Sequence, residues 1–260
     1  MTVELVYGDA VEVLSGFADG SAALILTDPP YNVSPRSGRA NTTVGRVPRA
    51  DGSMREIRRD FGEWDHGWDP LPFLEQARRV LRDGGSLVAF TSEHLFAPYL
   101  ASGLDHRSLL YWRKANPAPN FRAQVVRAVE MAVWQTKGGG WTFNAGGYRP
   151  NVWDGAIVNG YSTVNNAEPR IHPTQKPLWL MREWVELFSN PGELVVDPYA
   201  GSGTTLVAAR AAGRRALGVE LDPTYYEAAR RRLDPLAAAA RDVEVGATAQ
   251  GVLLDVGSDG

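Results

Sequence analysis

Short apolar runs alternate with longer amphipathic stretches over most of this chain, and that alternation limits its possible folds more than any other feature. Apolar runs of about five residues are typical of buried strands, and the amphipathic stretches are typical of helices that cover a sheet. The pattern predicts an α/β fold with a doubly wound, mostly parallel sheet. The predicted strands are Val3–Tyr7, Ala23–Thr27, Ser86–Thr91, Leu109–Arg113, Met131–Gln135, Glu193–Val196 and Arg215–Val219. The predicted helices are Ala10–Phe17, Pro70–Leu81, Pro177–Phe188, Thr204–Ala212 and Thr224–Leu233.

Three segments lack this alternation. Val33–Phe61 is rich in Arg, Gly and Ser, which predicts a mobile surface loop. Asn116–Arg170 has scattered Trp, Gly, Asn and Pro residues and is interpreted as an irregular insertion rather than a second core. The segment after Asp234 is rich in Ala and Gly and is expected to fray.

Composition excludes several classes of function. Of the 260 residues, none is Cys, so disulfides, thiolate zinc sites and cysteine nucleophiles are ruled out. The four His residues lack the spacing of metal ligands, and no metal is expected. No apolar run reaches the roughly 20 residues that cross a bilayer, and the first residues lack the basic flank of a secretion signal. A soluble, cytoplasmic protein with no membrane partner is therefore expected.

The distribution of charge is more informative than its sum. The net charge is −3, but residues 34–60 carry seven Arg and three acids, and residues 105–150 carry seven basic residues and two acids. These two segments are therefore net +4 and +5. A cationic face on an otherwise acidic body is typical of a protein that binds a polyanion, although either segment alone is also compatible with solvated loop charge.

The tetrapeptide Asp28-Pro29-Pro30-Tyr31 directly follows a predicted strand. Functional sites of open parallel sheets lie beyond the carboxyl ends of the strands. The prolines hold the backbone extended, Asp28 and the Pro29 carbonyl offer hydrogen-bond acceptors, and Tyr31 offers a flat ring. Acceptors beside an aromatic ring suit a planar group with an exocyclic amine. A plain turn with Tyr31 packed on the core is the alternative.

A glycine-rich turn, Gly201-Ser202-Gly203-Thr204-Thr205, follows a second strand that ends in Asp197. Glycines allow a ligand to approach the backbone, and the next helix offers N–H donors. Glu220 ends the following strand, where an acid can bind ribose hydroxyls. Leu206 replaces the third glycine of a dinucleotide-binding motif, and no P-loop lysine follows, so an adenosine ligand without pyrophosphate fits better.

These two motifs, with His172-Pro-Thr-Gln-Lys-Pro177 between them, resemble the S-adenosylmethionine-dependent DNA amino-methyltransferases. The catalytic tetrapeptide precedes the cofactor loop, as in the β class, whose Rossmann-like methyltransferase fold is circularly permuted. The permutation makes Val3–Tyr7 the third strand of the cofactor half. Further segments, among them Glu130–Trp134, are similar to the adenine methyltransferases of GATC-type restriction systems. Tyr199 stands where that family usually has Phe.

The resemblance implies transfer of a methyl group from S-adenosylmethionine to the exocyclic N6 of adenine in a specific DNA sequence, with base flipping and direct transfer. The catalytic residues it implies are Asp28, Pro29, Pro30 and Tyr31. The cofactor-binding residues it implies are Asp9, Ala10, Thr174, Lys176, Asp197, Tyr199, Gly201, Ser202, Gly203, Thr204, Thr205 and Glu220. The basic segments and the resemblance together suggest DNA contacts at Arg36, Arg39, Arg46, Arg49, Arg58, Arg59, Lys114, Asn116, Arg122 and Arg127.

The same resemblance suggests a division of the chain. Residues 1–32 and 61–115 form the catalytic half, and residues 171–234 form the cofactor-binding half. Residues 33–60 are a basic DNA-binding loop, residues 116–170 a target-recognition insertion and residues 235–260 a flexible tail. DNA is the expected partner in a prokaryotic or phage-encoded protein, while a cognate restriction endonuclease and a homodimer are open options.

Other activities fit less well. N4-cytosine methyltransferases share the chemistry but commonly have Ser at the position of Asp28, which favours adenine without excluding cytosine. C5-cytosine methylation needs a cysteine, which this chain lacks. The glutamine methyltransferases of release factors have Asn first and the cofactor loop upstream. An inactive nucleic-acid-binding module is opposed by the intact motifs, and an NAD(P) dehydrogenase by Leu206.

Overall fold

A computed structural model describes residues 1–31, 43–48, 53–58, 67–117, 125–158, 171–172, 174–234 and 242–244. The strands are β1 (Val3–Tyr7), β2 (Ala22–Thr27), β3 (Thr43–Pro48), β4 (Met54–Arg58), β5 (Leu81–Thr91), β6 (Asp105–Lys114), β7 (Val129–Thr136), β8 (Val152–Gly155), β9 (Leu194–Asp197), β10 (Arg215–Glu220) and β11 (Asp242–Glu244). The helices are α1 (Ala10–Ser15), α2 (Pro70–Val80), α3 (Phe96–Leu100), α4 (Leu178–Phe188), α5 (Thr204–Ala211) and α6 (Pro223–Leu233). Every helix in these ranges is too short or too polar to span a bilayer.

The main sheet has nine strands in the order β11-β1-β10-β9-β2-β5-β7-β6-β8. β7 runs antiparallel to its neighbours β5 and β6, and the other pairings are parallel. The predicted doubly wound, mostly parallel sheet is confirmed. β1 lies beside β10, which lies beside β9, so β1 is the third strand of that half, as the permuted order predicts.

Side chains of the central strands alternate between two apolar layers. Leu24 and Leu26 of β2 pack with Trp184 of α4 in one layer, which also includes side chains of α5 and α6. Ile25 packs in the other layer, with Phe73 of α2 and side chains of α1 and α3. Strands buried on both faces read as continuous apolar runs, which is why the sequence locates them well.

The predicted loop at Val33–Phe61 needs a correction. β3 and β4 form a two-stranded antiparallel hairpin within it, with Arg46 opposite Glu56. Asp51-Gly52, between the two strands, is a hairpin signal that the high Arg content of the segment obscured. The rest of the segment lies outside the described residues.

The interpretation of Asn116–Arg170 as an irregular insertion also needs a correction. β7 lies between β5 and β6 inside the main sheet, and Ala132 and Val133 are completely buried. β8 adds a parallel edge strand to β6. The short strand β8 and the five-residue helix α3 were not predicted, because neither is long enough to show a period. In the predicted tail, β11 pairs with β1, and the remainder lies outside the described residues.

Candidate active site at the centre of the sheet

The site lies where the two halves of the sheet meet. β9 and β2 are parallel neighbours, and the chain leads from β9 to β10 but from β2 towards β5, in opposite directions along the sheet. Ligands of such sheets bind beyond the carboxyl ends of the strands at this point. A cavity of about 900 Å³ opens there. The predicted site residues that line it are Asp9, Ala10, Asp28, Pro30, Thr174, Lys176, Asp197, Tyr199, Gly201, Ser202, Thr204, Thr205 and Glu220.

A buried hydrogen bond joins the ends of the two central strands. The Thr27 hydroxyl donates to Oδ1 of Asp197 at 2.7 Å, and the same oxygen accepts from the backbone N–H of Tyr199 at 3.2 Å. Burial raises the pKa of Asp197 to about 6. Asp197 therefore fixes the start of the glycine-rich turn relative to Asp28, which follows Thr27.

Asp28 is held through both of its carboxylate oxygens. The Tyr31 hydroxyl donates to Oδ1, and the Lys176 ammonium donates to Oδ2. Burial raises the pKa of Asp28 most strongly, and the positive charge of Lys176 opposes that rise. The carboxylate thus lines the cavity with one oxygen paired with a cation.

The charged cluster continues beyond Asp28. Nζ of Lys176 lies 3.1 Å from Oε2 of Glu130, and Nζ of Lys114 lies 2.6 Å from Oε1 of Glu130. Lys176, predicted to bind the cofactor, therefore contacts Asp28, and Lys114, predicted to bind DNA, contacts Glu130. Glu130 was not predicted as a site residue. A signal existed, because it is one of only two acids in the basic segment 105–150.

The opposite side of the cavity is built mainly from backbone. Gly201 and Gly203 have φ values of 51° and 71°, a left-handed region that favours glycine. The N–H of Gly201 donates to Oε2 of Glu220, and the N–H of Asp222 donates to Oε1, both at 2.8 Å. Burial raises the pKa of Glu220. A carboxylate oxygen can accept more than one hydrogen bond, so Glu220 retains acceptor capacity for ligand hydroxyls.

Aromatic and acidic groups complete this side. Trp68 donates its indole N–H to the hydroxyl of Tyr199 at 3.0 Å, and the two rings meet edge to face at 5.7 Å. Asp9 caps α1, since its Oδ1 accepts from the N–H groups of Val11 and Glu12 at 2.8 and 3.0 Å. Asp9 and Trp68 both line the cavity. An apolar wall, a glycine turn and a carboxylate at a strand end together fit the adenosine portion of S-adenosylmethionine. Trp68 was not predicted.

The structure describes only some of the residues predicted to contact DNA. Arg127 is exposed, whereas Asn116 accepts the backbone N–H of Ile157 at 2.7 Å. Arg46 and Arg58 lie on the hairpin strands β3 and β4. Residues that lie outside the described part of the chain are Arg36, Arg39, Arg49, Arg59 and Arg122. The DNA surface therefore stays a prediction.

Comparison with known protein families gives a match over most of the chain. A family model described as DNA methylase matches residues 22–231. A type II methyltransferase of Haemophilus influenzae, M.HinfI, is 29% identical over 92% of this chain and 70% of its own length. A second, M2.DpnII of Streptococcus pneumoniae, is 28% identical over 88% of this chain and 89% of its own length.

Solved structures agree with the fold. The complex of M1.HpyAVI with SAM superposes with a TM-score of 0.63 at 22% identity, covering 89% of this chain and all of that one. The cytosine-N4-specific PvuII DNA methyltransferase gives a TM-score of 0.67 at 19% identity, covering 98% of this chain and 91% of that one. At these identities the likeness concerns the arrangement of the sheet and its helices.

Proposed function

This chain belongs to the DNA methylase family, and on that premise we propose that it transfers a methyl group from S-adenosylmethionine to the exocyclic N6 of adenine in a specific DNA sequence. One observation carries the proposal. The carboxylate of Asp28 faces the same cavity as the glycine-rich turn and Glu220. A hydrogen-bond acceptor for an amino group and a binding site for an adenosine ligand therefore lie in the same cavity.

S-adenosylmethionine supplies an electrophilic methyl group on a positively charged sulfonium. We assign its binding to the turn at residues 201–205 and to Glu220, whose free acceptor capacity suits two ribose hydroxyls. Asp9, Trp68 and Tyr199 would enclose the adenine ring. No residue has to stabilise a developing anion, because the reaction disperses the positive charge.

Asp28 and the Pro29 carbonyl prepare the nucleophile in this proposal. An aromatic amine is a weak nucleophile because its lone pair is delocalised into the ring. Hydrogen bonds from the amine to these two acceptors draw the nitrogen towards tetrahedral geometry and direct its lone pair at the methyl group. Alignment of two bound reactants can lower a barrier by roughly 7–11 kcal/mol. The N–C bond forms as the methyl group leaves the sulfonium, whose sulfur departs as a neutral thioether. The nitrogen becomes acidic only then, and its proton passes to Asp28 or to water.

The target nitrogen is inaccessible inside a duplex, so the base must leave the stack. Stacking on the Tyr31 ring could return about 1–3 kcal/mol of the unstacking cost. The basic residues of segments 34–60 and 105–150, including the β3–β4 hairpin, would neutralise phosphates. Pairing with a restriction endonuclease is supported by the type II names of the relatives, and a homodimer stays a prediction.

N4-cytosine methylation is the second candidate. The matching family includes N4-cytosine as well as N6-adenine methyltransferases, and Asp28 at the first position of the tetrapeptide opposes this candidate. The two target amines are chemically alike, so the same acceptors could serve either base.

Mapping of modified bases decides between the two targets. DNA from cells that express the wild-type chain should contain N6-methyladenine in one sequence motif, measured by mass spectrometry and by sequencing of modified bases. DNA from cells that express Asp28→Ala is the control and should lack it. N4-methylcytosine alone would establish the second candidate. The absence of both bases, with a folded and cofactor-binding wild type, would overturn the proposal.

A further inference from the structure

Lys176 is a buried cation between two carboxylates. Its ammonium donates to Oδ2 of Asp28 and lies 3.1 Å from Oε2 of Glu130. Its side chain is only 6% exposed, and Nζ lies 4.5 Å above the ring centre of Phe90. A buried ammonium is costly unless it is paired, so these contacts fix its position.

Glu130, which holds Lys176, is itself held by a second ion pair. Glu130 is the second residue of β7 and binds Lys114, at the end of β6, through its other oxygen at 2.6 Å. Two carboxylates therefore alternate with two ammonium groups, and their formal charges cancel. Because β7 is paired on both edges, with β5 and β6, Glu130 has a rigid support.

We propose that Lys176 is a positioning residue for Asp28: held by Glu130, it pairs with Oδ2 and orients the carboxylate so that Oδ1 faces the target amine. The inference rests on the proposed function for the identity of that amine. In this structure the hydroxyl of Tyr31 donates to Oδ1. An incoming amino group would replace that hydroxyl as the donor to the same oxygen, which frees the Tyr31 ring to stack on the base.

The electrostatics agree with this role. The charged and titratable groups around Asp28 are Lys176, Glu130, Tyr31, Tyr99 and Asp197. Burial raises the pKa of Asp28 most, Lys176 lowers it, and Glu130 raises it. Loss of the Lys176 charge should therefore raise the pKa of Asp28 further. A protonated Asp28 is a poorer acceptor for the amine. As the pH is lowered, a variant without the Lys176 charge should therefore lose activity at a higher pH than the wild type.

This role differs from the cofactor contact that the sequence suggested for Lys176. A lysine that binds the cofactor should, when replaced, weaken S-adenosylmethionine binding and leave the titration of Asp28 in place. A lysine that positions Asp28 should, when replaced, shift the titration of Asp28 and leave S-adenosylmethionine binding unchanged. Lys176→Met removes the charge, and Lys176→Arg is the matched control that retains it.

The titration of Asp28 can be followed directly. Protein labelled with ¹³C at the Asp carboxyl carbons is titrated by NMR, and Asp28→Asn identifies the signal. We expect the Asp28 midpoint to move to higher pH in Lys176→Met and to stay near that of the wild type in Lys176→Arg, with calorimetric Kd values for S-adenosylmethionine unchanged. An unmoved midpoint in Lys176→Met, with or without weaker cofactor binding, would overturn the inference.

Two further measurements keep the test decisive. If Lys176→Met does not fold, the double variant Lys176→Met/Glu130→Gln removes both buried charges, and a smaller upward shift is expected because Glu130 itself raises the pKa of Asp28. The titration needs no DNA, so it is separate from the proposed function. Absence of methylated bases in the wild type contradicts the proposed function, whereas an unmoved Asp28 midpoint in a protein that methylates DNA contradicts only this inference.

Discussion

The two sides of the cavity are built on different principles. On the side of β2, the side chains of Asp28, Lys176 and Glu130 hold one another by ion pairs. On the side of β9, the backbone of the glycine-rich turn is shaped by left-handed glycines and tied to Glu220. The first side depends on charge, and the second depends on backbone conformation.

This difference also separates what local sequence can specify from what only the fold can. The turn at residues 201–205 and Glu220 lie within one β9–α5–β10 unit. The members of the charged cluster come from the ends of β2, β6 and β7 and from the segment before α4. If the two sides are functionally separate, substitutions on the β2 side should change the rate of methyl transfer. Substitutions on the β9 side should change cofactor binding.

Asp28→Ala should have the largest effect. Removal of the acceptor should lower turnover on DNA by about 10²-fold or more, because the target nitrogen is no longer aligned with the methyl group. Transfer of labelled methyl groups to DNA measures the rate, and calorimetry measures the Kd for S-adenosylmethionine, which should stay unchanged. Weaker cofactor binding in this variant would break the separation between the two sides, and near-normal turnover would remove Asp28 from the reaction.

Glu220→Ala should act through the cofactor. Loss of hydrogen bonds to a charged group, worth about 1.5–3 kcal/mol, should raise the Kd for S-adenosylmethionine by roughly 10- to 100-fold. Turnover at saturating cofactor should change little. Glu227→Ala is the matched control, because Glu227 lies on α6 in a half-buried pair with Arg230. Equal Kd values for the two variants would leave Glu220 with a structural role only.

Gly203→Ala should have the smallest effect, and it tests whether the turn depends on the left-handed conformation of its backbone. Gly203 has a φ of 71°, and an added Cβ would lie 3.4 Å from Cβ of Ala229, so we expect a loss of about 1–2 kcal/mol in unfolding free energy. Gly213→Ala is the control, since Gly213 has a φ of 77° and no atom within 4 Å of an added Cβ. Urea unfolding should show similar losses in both, and calorimetry should show weaker cofactor binding only in Gly203→Ala. Equal cofactor affinities would mean that the turn tolerates the strain.

The sequence predicted the architecture well because most of its information is local. Strands buried on both faces are continuous apolar runs, and Asp69-Pro70 and Asp222-Pro223 mark two helix starts that the structure confirms. The hairpin β3–β4 was missed because its charged residues resemble a loop composition. β7 was predicted as a strand, but its place inside the main sheet depends on pairings with β5 and β6 that no local pattern encodes.

The candidate site was predicted in part for the same reason. Asp28, Tyr31 and the glycine-rich turn belong to short contiguous motifs. Trp68 belongs to no such motif, and Glu130 begins a family-like segment that gave it no role. Each reaches the site through a partner more than 40 positions away, Tyr199 and Lys176 respectively. Lys176 was found by its motif, yet its contact with Asp28 became visible only when the ends of β2 and α4 were brought together.

The position of β1 has a consequence for synthesis of the chain on the ribosome. β1 pairs with β10 and β11, and Arg215 follows Tyr7 by 208 positions. At roughly 5–20 residues per second, β1 must wait for about 10–40 s before its first neighbour is translated. During that time an apolar strand with open edges is exposed to other nascent chains, and a chaperone that shields such edges would raise the yield of folded protein.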